Sequence, residues 1–321
     1  MAAGAVGGRP DDPGATPEHA AGMAVSTARH LLRVSDLTAA EIGDLLDLAV
    51  AMDADPAGWV DALRGHSVAC YFAKPSTRTR VSFAAAAARL GMTAIVLRPD
   101  ELQLGRGETI ADTGRTLSSY CDAIVIRTFA QADVDELAAA ASVPVINALT
   151  DDHHPCQALA DVLTVRQEFG RLEGIRLAYV GDGNNVANSL LEAGARTGLD
   201  VVVACPPGYE PAVAGEVVHE PREAVRGAHA VYTDVWVSMG DEAEQQARDA
   251  AFRPYQVDET LLGLARPDAI FLHCLPAHRG QEVTAEVIDG PRSRVWAQAH
   301  NRESTEEALL YRLVSSAMSA S

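Results

Sequence analysis

At 321 residues the chain is long for a single core and suggests about two domains. Hydrophobic residues make up 48% and charged residues 22%, an ordinary balance for a globular protein. Lys plus Arg number 26 against 44 Asp plus Glu, and the resulting formal charge of -18 argues against non-specific binding to nucleic acid or to anionic membrane.

Residues 1–25 are rich in Gly, Ala, Pro and Asp and read as a disordered tail. They hold no apolar core of a secretory signal and are too acidic for a mitochondrial presequence. No apolar run reaches the roughly 18 to 20 residues that span a bilayer. Val68–Phe72, Thr93–Leu97, Ala123–Arg127 and Val143–Ala148 then read as strands. A second series follows at Arg176–Val180, Asp200–Ala204, Ala230–Val235 and Ala269–Cys274. Near-continuous apolar strands alternating with helical patterns predict an α/β protein of two domains, each a parallel sheet flanked by helices. The break falls between Thr150 and Gly174, which divides residues 26–150 from 151–300. Long helices link the halves: Cys156–Phe169 connects them, and a last helix over Glu303–Met318, capped by Ser304 or Thr305, joins the first domain. Cys70, Cys121, Cys156, Cys205 and Cys274 are scattered without a C-x-x-C pair, which suits a reducing, cytoplasmic setting.

Ligands of open parallel sheets bind beyond the carboxyl ends of the strands, so the residues after each strand matter most. After the first come Lys74-Pro75-Ser76-Thr77-Arg78-Thr79-Arg80 and a helical run, Val81 to Leu90. A helix N-terminus with hydroxyls and an Arg fork is an anion cradle, suited to phosphate. The rival reading is a capped helix with solvated basic residues; the arginines in register beyond a buried strand favour the cradle. It is not a Walker loop, because the G-K-[ST] ending is missing. Gly181-Asp182-Gly183-Asn184-Asn185 leaves a dinucleotide fingerprint incomplete, and no cofactor is expected. His153 and His154 make a poor metal pair, since neighbouring residues point apart and no third ligand has matching spacing.

With Ser76-Thr77-Arg78-Thr79-Arg80 go His154-Pro155-Cys156-Gln157, then Asp234-Val235-Trp236-Val237-Ser238-Met239-Gly240 and His273-Cys274-Leu275-Pro276. In this order the motifs resemble the aspartate/ornithine carbamoyltransferase family, over nearly the whole chain beyond its tail. The Ser-Met-Gly loop and the His-Cys-Leu-Pro motif are similar to the ornithine branch. The resemblance implies transfer of a carbamoyl group from carbamoyl phosphate to the side-chain amine of L-ornithine, giving citrulline. It assigns Ser76, Thr77, Arg78, Thr79 and Arg127 to the phosphate, with Arg302 reaching the same substrate. His154 and Gln157 would hold the carbamoyl group, and His154, with Arg78 and Thr79, would donate to its carbonyl oxygen. Taken without the resemblance, His154 could equally be a core histidine. Asn185, Asp234, Ser238 and Met239 would bind ornithine. Asp234 and Cys274 would orient the attacking amine, Cys274 as thiol or thiolate, and Leu275 would offer its backbone carbonyl. Arg78, Arg127, His154, Asp234 and Cys274 form the implied catalytic set. Gln103 would reach into a neighbouring subunit's site, which implies a homotrimer with intersubunit active sites. Trp236 reads as a partly buried anchor, and the remaining cysteines as structural.

Three positions depart from the family pattern: Ala73, Ala84 and His300 stand where Glu is usual. They leave open a related transferase for another amine, or a non-catalytic binding protein.

Overall fold

A computed structural model describes residues 30–104, 107–237 and 245–319. Four strands build the first sheet: β1 (Ser67–Phe72), β2 (Thr93–Leu97), β3 (Ala123–Arg127) and β4 (Val145–Leu149), in the order β2-β1-β3-β4. The second holds β5 (Arg176–Val180), β6 (Asp200–Ala204), β7 (Glu216–Val218), β8 (Ala230–Thr233) and β9 (Ile270–His273), in the order β7-β6-β5-β8-β9. Every pairing is parallel. The expectation of four strands per domain therefore fails by one. β7 pairs with β6 at the sheet edge, and its three residues are only half covered or exposed, so they carry no apolar run to read.

The helices are α1 (Ala39–Ala54), α2 (Arg78–Arg89), α3 (Ile110–Ser118), α4 (Gln131–Ala140), α5 (Pro155–Phe169), α6 (Asn185–Thr197), α7 (Pro221–Val225), α8 (Gln245–Phe252), α9 (Glu259–Leu262), α10 (Ala285–Ile288) and α11 (Val295–Ser319). Pro155 starts α5 at a position where its missing N–H costs nothing, and Gly170, at φ 71°, ends it in the left-handed region. Every residue from Pro155 to Val165 is buried, so this helix is covered on all sides, as a helix between two domains must be.

The terminal helix begins at Val295, eight positions before the predicted start at Glu303. Ser304 and Thr305, read as caps, are buried mid-helix. The Ser304 hydroxyl binds Asp53 Oδ2 at 2.7 Å, and the Thr305 hydroxyl donates to the Asn301 carbonyl at 2.7 Å. The polar run from Asn301 to Glu307 reads as the capped start of a helix in sequence, yet it lies within α11 and packs against α5, α2 and α1. There it meets polar partners and not solvent. One hydrophobic core runs through both halves, joining Leu46 of α1, Phe83 of α2, Leu159 of α5, Tyr179 of β5 and Leu310 of α11.

In each sheet the chain reverses its direction of winding at one place, between β1 and β3 and between β5 and β8. Crevices at the carboxyl ends of strands open at such reversals. Arg78 lies beyond β1 and Arg127 ends β3; Asn185 lies beyond β5, Asp234 just past β8, and Cys274 just past β9.

Candidate active site

The two reversals face one another across a cleft of about 1140 Å³. Its first wall is the turn after β1. Ser76 Oγ accepts from the Thr79 N–H at 3.2 Å and shapes the start of α2, while Thr77 holds the cap position without a side-chain cap bond. The first turn of a helix carries unpaired N–H groups and positive potential, which Arg78 extends into the cleft. Arg80 does not line it; its guanidinium lies 5.6 Å from the centre of the Phe72 ring. Arg127 is buried beside Thr79, with Nη1 at 3.5 Å from the hydroxyl, and its Nε is a buried donor without a partner among the described residues. Burial, together with Arg302 and Arg78, pushes the Arg127 pKa down to about 10, so it remains a cation at neutral pH. Burial also lowers Arg78.

The floor comes from α5 and α11. His154 caps α5 and Gln157 lies in its first turn, both buried and both facing the cleft. Burial, then Arg302, Arg127 and Arg78, holds His154 well below the usual histidine range, so the ring is neutral. Its Nε2 sits 3.5 Å from Arg302 Nη1, which can only donate, so the proton belongs on Nδ1, a buried nitrogen with no partner among the described residues. Arg302 Nη1 also donates to Gln157 Oε1 at 2.6 Å, and Glu306 pairs with the guanidinium at 2.8 Å. Burial opposes the charge of Arg302, but Glu306, Cys156 and Asp161 together outweigh it, so its pKa is raised. Three cations therefore converge where an oxyanion or phosphate would be stabilised most.

The far wall is the second domain. Asn184 caps α6 through Oδ1 and donates from Nδ2 to Asp234 Oδ2 at 3.0 Å, which fixes the carboxylate. Asn185 donates to the Thr150 carbonyl. The Cys274 thiol donates to Asp234 Oδ1 at 2.9 Å. Burial and the Asp234 charge push that thiol well above its ordinary value, so it is a thiol and not a thiolate. Leu275 follows with φ 58°, an uncommon left-handed value for a branched residue, and its N–H donates to His273 Nδ1 at 2.8 Å. Asp234, His273 and Cys274 bring one potential metal-ligand atom each within 4.8 Å of one another. Both ring nitrogens of His273 are already engaged, however, Nδ1 by Leu275 and Nε2 by Glu282 at 3.2 Å, so the trio is a poor metal site.

The chain thus gathers Ser76, Thr77, Arg78, Thr79, Arg127, His154, Gln157, Asn185, Asp234, Cys274, Leu275 and Arg302 around one cleft. Gln103 is exposed and does not reach the cleft of its own chain. Ser238 and Met239 lie outside the described residues. Trp236 is buried as an anchor, stacked at 6.4 Å on Phe252. Gly183 of the Gly181–Asn185 turn serves packing: a side chain there would meet the Pro211 nitrogen at 2.3 Å. Ala73, Ala84 and His300 line neither this cleft nor the smaller cavity beside it; His300 Nε2 lies 3.4 Å from Asp53.

Sequence reading missed Lys74 and Arg248 at the site. Lys74 is buried, pairs with Asp151 and lies 4.4 Å from the Phe129 ring centre, on the cleft wall. Its position beside the cradle was a signal, masked by its role in a Pro turn. Arg248 donates to Asp182 Oδ2 at 2.7 Å and to the Trp236 carbonyl at 3.1 Å, and nothing near it in sequence points there.

Residues 29–167 match the model of the aspartate/ornithine carbamoyltransferase carbamoyl-P binding domain, and residues 173–313 that of the Asp/Orn binding domain. A curated ornithine carbamoyltransferase of Parafrankia sp. (strain EAN1pec) is 55% identical over 302 residues, covering 88% of this chain and 95% of that protein. The ornithine carbamoyltransferase termed anabolic from Pyrococcus furiosus is 50% identical over 310 residues, 90% of this chain and 97% of that one. A solved structure of the Pyrococcus furiosus ornithine carbamoyltransferase superposes with a TM-score of 0.86 at 48% identity, covering 90% of this chain and 97% of that chain. No helix among the described residues is long and apolar enough to cross a membrane. By its two matched domains, its sheet order and the residues its strands present, the chain belongs to the aspartate/ornithine carbamoyltransferase family.

Proposed function

We propose that the chain transfers the carbamoyl group of carbamoyl phosphate to the side-chain amine of L-ornithine, yielding L-citrulline and phosphate, a step of arginine biosynthesis. The observation that carries this reading is the division of one cleft. Arg78, Arg127 and Arg302 converge on one side, and the Asp234–Cys274 pair faces them from the other. The first side suits a phosphorylated, carbonyl-bearing substrate, and the second suits an amine that arrives as a cation.

The neutral amine attacks the carbonyl carbon, the new C–N bond forms, the C–O bond to phosphate breaks, and the amine gives up a proton. Asp234 attracts the ammonium form and holds the amine in line. Cys274, bonded to Asp234 as a thiol, orients that carboxylate and is not the nucleophile. The Nδ1 proton of His154, with the Arg78 guanidinium and the Thr79 hydroxyl, stabilises the carbonyl oxygen as charge develops on it; losing one such donor typically costs about 10²–10³ in turnover. The arginines and the start of α2 neutralise the departing phosphate.

The exposed Gln103, remote from its own cleft, supports a homotrimer in which each chain completes a neighbour's site. Five free cysteines support a cytoplasmic setting. The test is a panel of amines (ornithine, lysine, putrescine, aspartate) offered with carbamoyl phosphate to the purified full-length protein. Citrulline from ornithine at the highest kcat/KM, by a particle three times the mass of one chain, is expected. Preference for another amine would overturn the choice of substrate.

A further inference from the structure

Beneath the cleft lies a side chain to which the proposed reaction assigns no part. Asp161 is fully buried on α5, one turn beyond Gln157, and its Oδ1 accepts two amides. Gln157 Nε2 donates to it at 2.7 Å, and Gln298 Nε2, from α11, donates at 2.6 Å. The opposite ends of both amides are also committed. Gln157 Oε1 accepts from Arg302 Nη1 at 2.6 Å, and Gln298 Oε1 accepts from the His273 N–H at 2.9 Å.

A guanidinium and a backbone N–H can only donate, so each glutamine must turn its oxygen toward them and its NH2 group toward Asp161. An ionised carboxylate only accepts, so it admits both NH2 groups and rejects either amide when flipped. The network has one solution. Its two arms end at the two halves of the chemistry: Gln157 and Arg302 face the carbamoyl phosphate side, and His273 precedes the Cys274 that holds Asp234.

We propose that Asp161 is a positioning residue for carbamoyl transfer: it sets the amide of Gln157 toward the carbamoyl group and, through Gln298, fixes the end of β9 that carries Cys274. This inference rests on the carbamoyl transfer proposed above. Burial pushes the Asp161 carboxyl up to about 7, against the donors that favour its charge, so holding a carboxylate here works against its surroundings. An apolar residue would fill the same space without that conflict, but it could not orient two amides.

The test is steady-state kinetics of the full-length chain and its variants, run after the unsubstituted protein has been shown to form citrulline. Asp161→Leu deprives both NH2 groups of their acceptor. It is expected to raise KM for carbamoyl phosphate and lower kcat, with kcat/KM falling by roughly 10²-fold. Asp161→Asn keeps an oxygen where Oδ1 stands, and should recover kcat/KM to within about tenfold of the unsubstituted protein. In a background carrying both Gln157→Ala and Gln298→Met, Asp161→Leu should cost less than about threefold more, because both groups it orients are gone. A packing role would instead give losses that multiply. Gln298→Met severs only the second arm, and serves even if the leucine variant fails to fold. It should lower kcat while leaving KM for carbamoyl phosphate within about twofold. Multiplying losses, an asparagine variant as impaired as the leucine one, or a Gln298→Met variant with unchanged kcat would each overturn the role of Asp161. None of these would touch the transferase reading, which fails only if the unsubstituted protein forms no citrulline.

Discussion

Arg78 is the residue on which the proposed phosphate site most depends, because it stands at the helix start, where backbone N–H groups and a guanidinium would act on one ligand. Arg78→Ala should raise KM for carbamoyl phosphate and lower kcat together, with kcat/KM reduced by about 10²-fold or more. Near-normal kinetics in that variant would remove the anion cradle. At this scale the sequence was a good guide wherever a polar residue followed an apolar strand, as with Arg78, Arg127, Asp234 and Cys274. It was a poor guide where the polar residue sat inside an apolar element. Asp161 lies in a helix buried on every side, and Tyr232 in a strand read as pure core, so neither stands out by pattern. The open question of thiol against thiolate at Cys274 needed the structure, since only the nearness of Asp234 and the burial decide it.

Among the elements, α11 shows how tertiary burial overrides a local signal. Its polar middle reads as a cap and a start, yet Glu303 and Glu307 meet Arg89 of α2, with Asp53 of α1 close by. Burial raises the Glu307 carboxyl from 4.5 to about 7, with Arg89 opposing and Glu303 and Asp53 adding to the rise. The folded state therefore binds this proton more tightly than the unfolded chain does. Its stabilising contribution is complete below about pH 4.5 and is lost as pH rises through about 7. Glu307→Gln removes that dependence. Relative to the unsubstituted protein, the variant should gain on the order of 1–3 kcal/mol between pH 5 and pH 8 in urea unfolding. A difference that stays flat with pH, or that runs the other way, would contradict the burial argument. Most predicted strands match closely because their apolar runs coincide with their buried lengths; β2 matches by its apolar run although its residues are half covered or exposed. β7 escaped notice because an edge strand of three residues needs no such run.

As a whole, the molecule opposes two parallel sheets so that their reversal points share one cleft, and it ties them with α5 and α11. The overall charge of -18 makes that arrangement selective, since three convergent arginines form a local exception in an acidic protein. The class and the two-domain plan were legible from the alternation of strand and helix. The close packing within the second domain was not. Gly183 looked like part of a cofactor motif, and only the closeness of the chain at Pro211 explains it. Ala73, Ala84 and His300 are not among the residues that line the cleft. The proposed chemistry is tested most directly by following carbonyl-13C carbamoyl phosphate and L-ornithine with the purified protein by carbon and phosphorus NMR. The account predicts that the label moves into the ureido carbon of citrulline, with one phosphate released for each ureido group formed. Phosphate release without a labelled ureido carbon, or no turnover of either substrate, would contradict it.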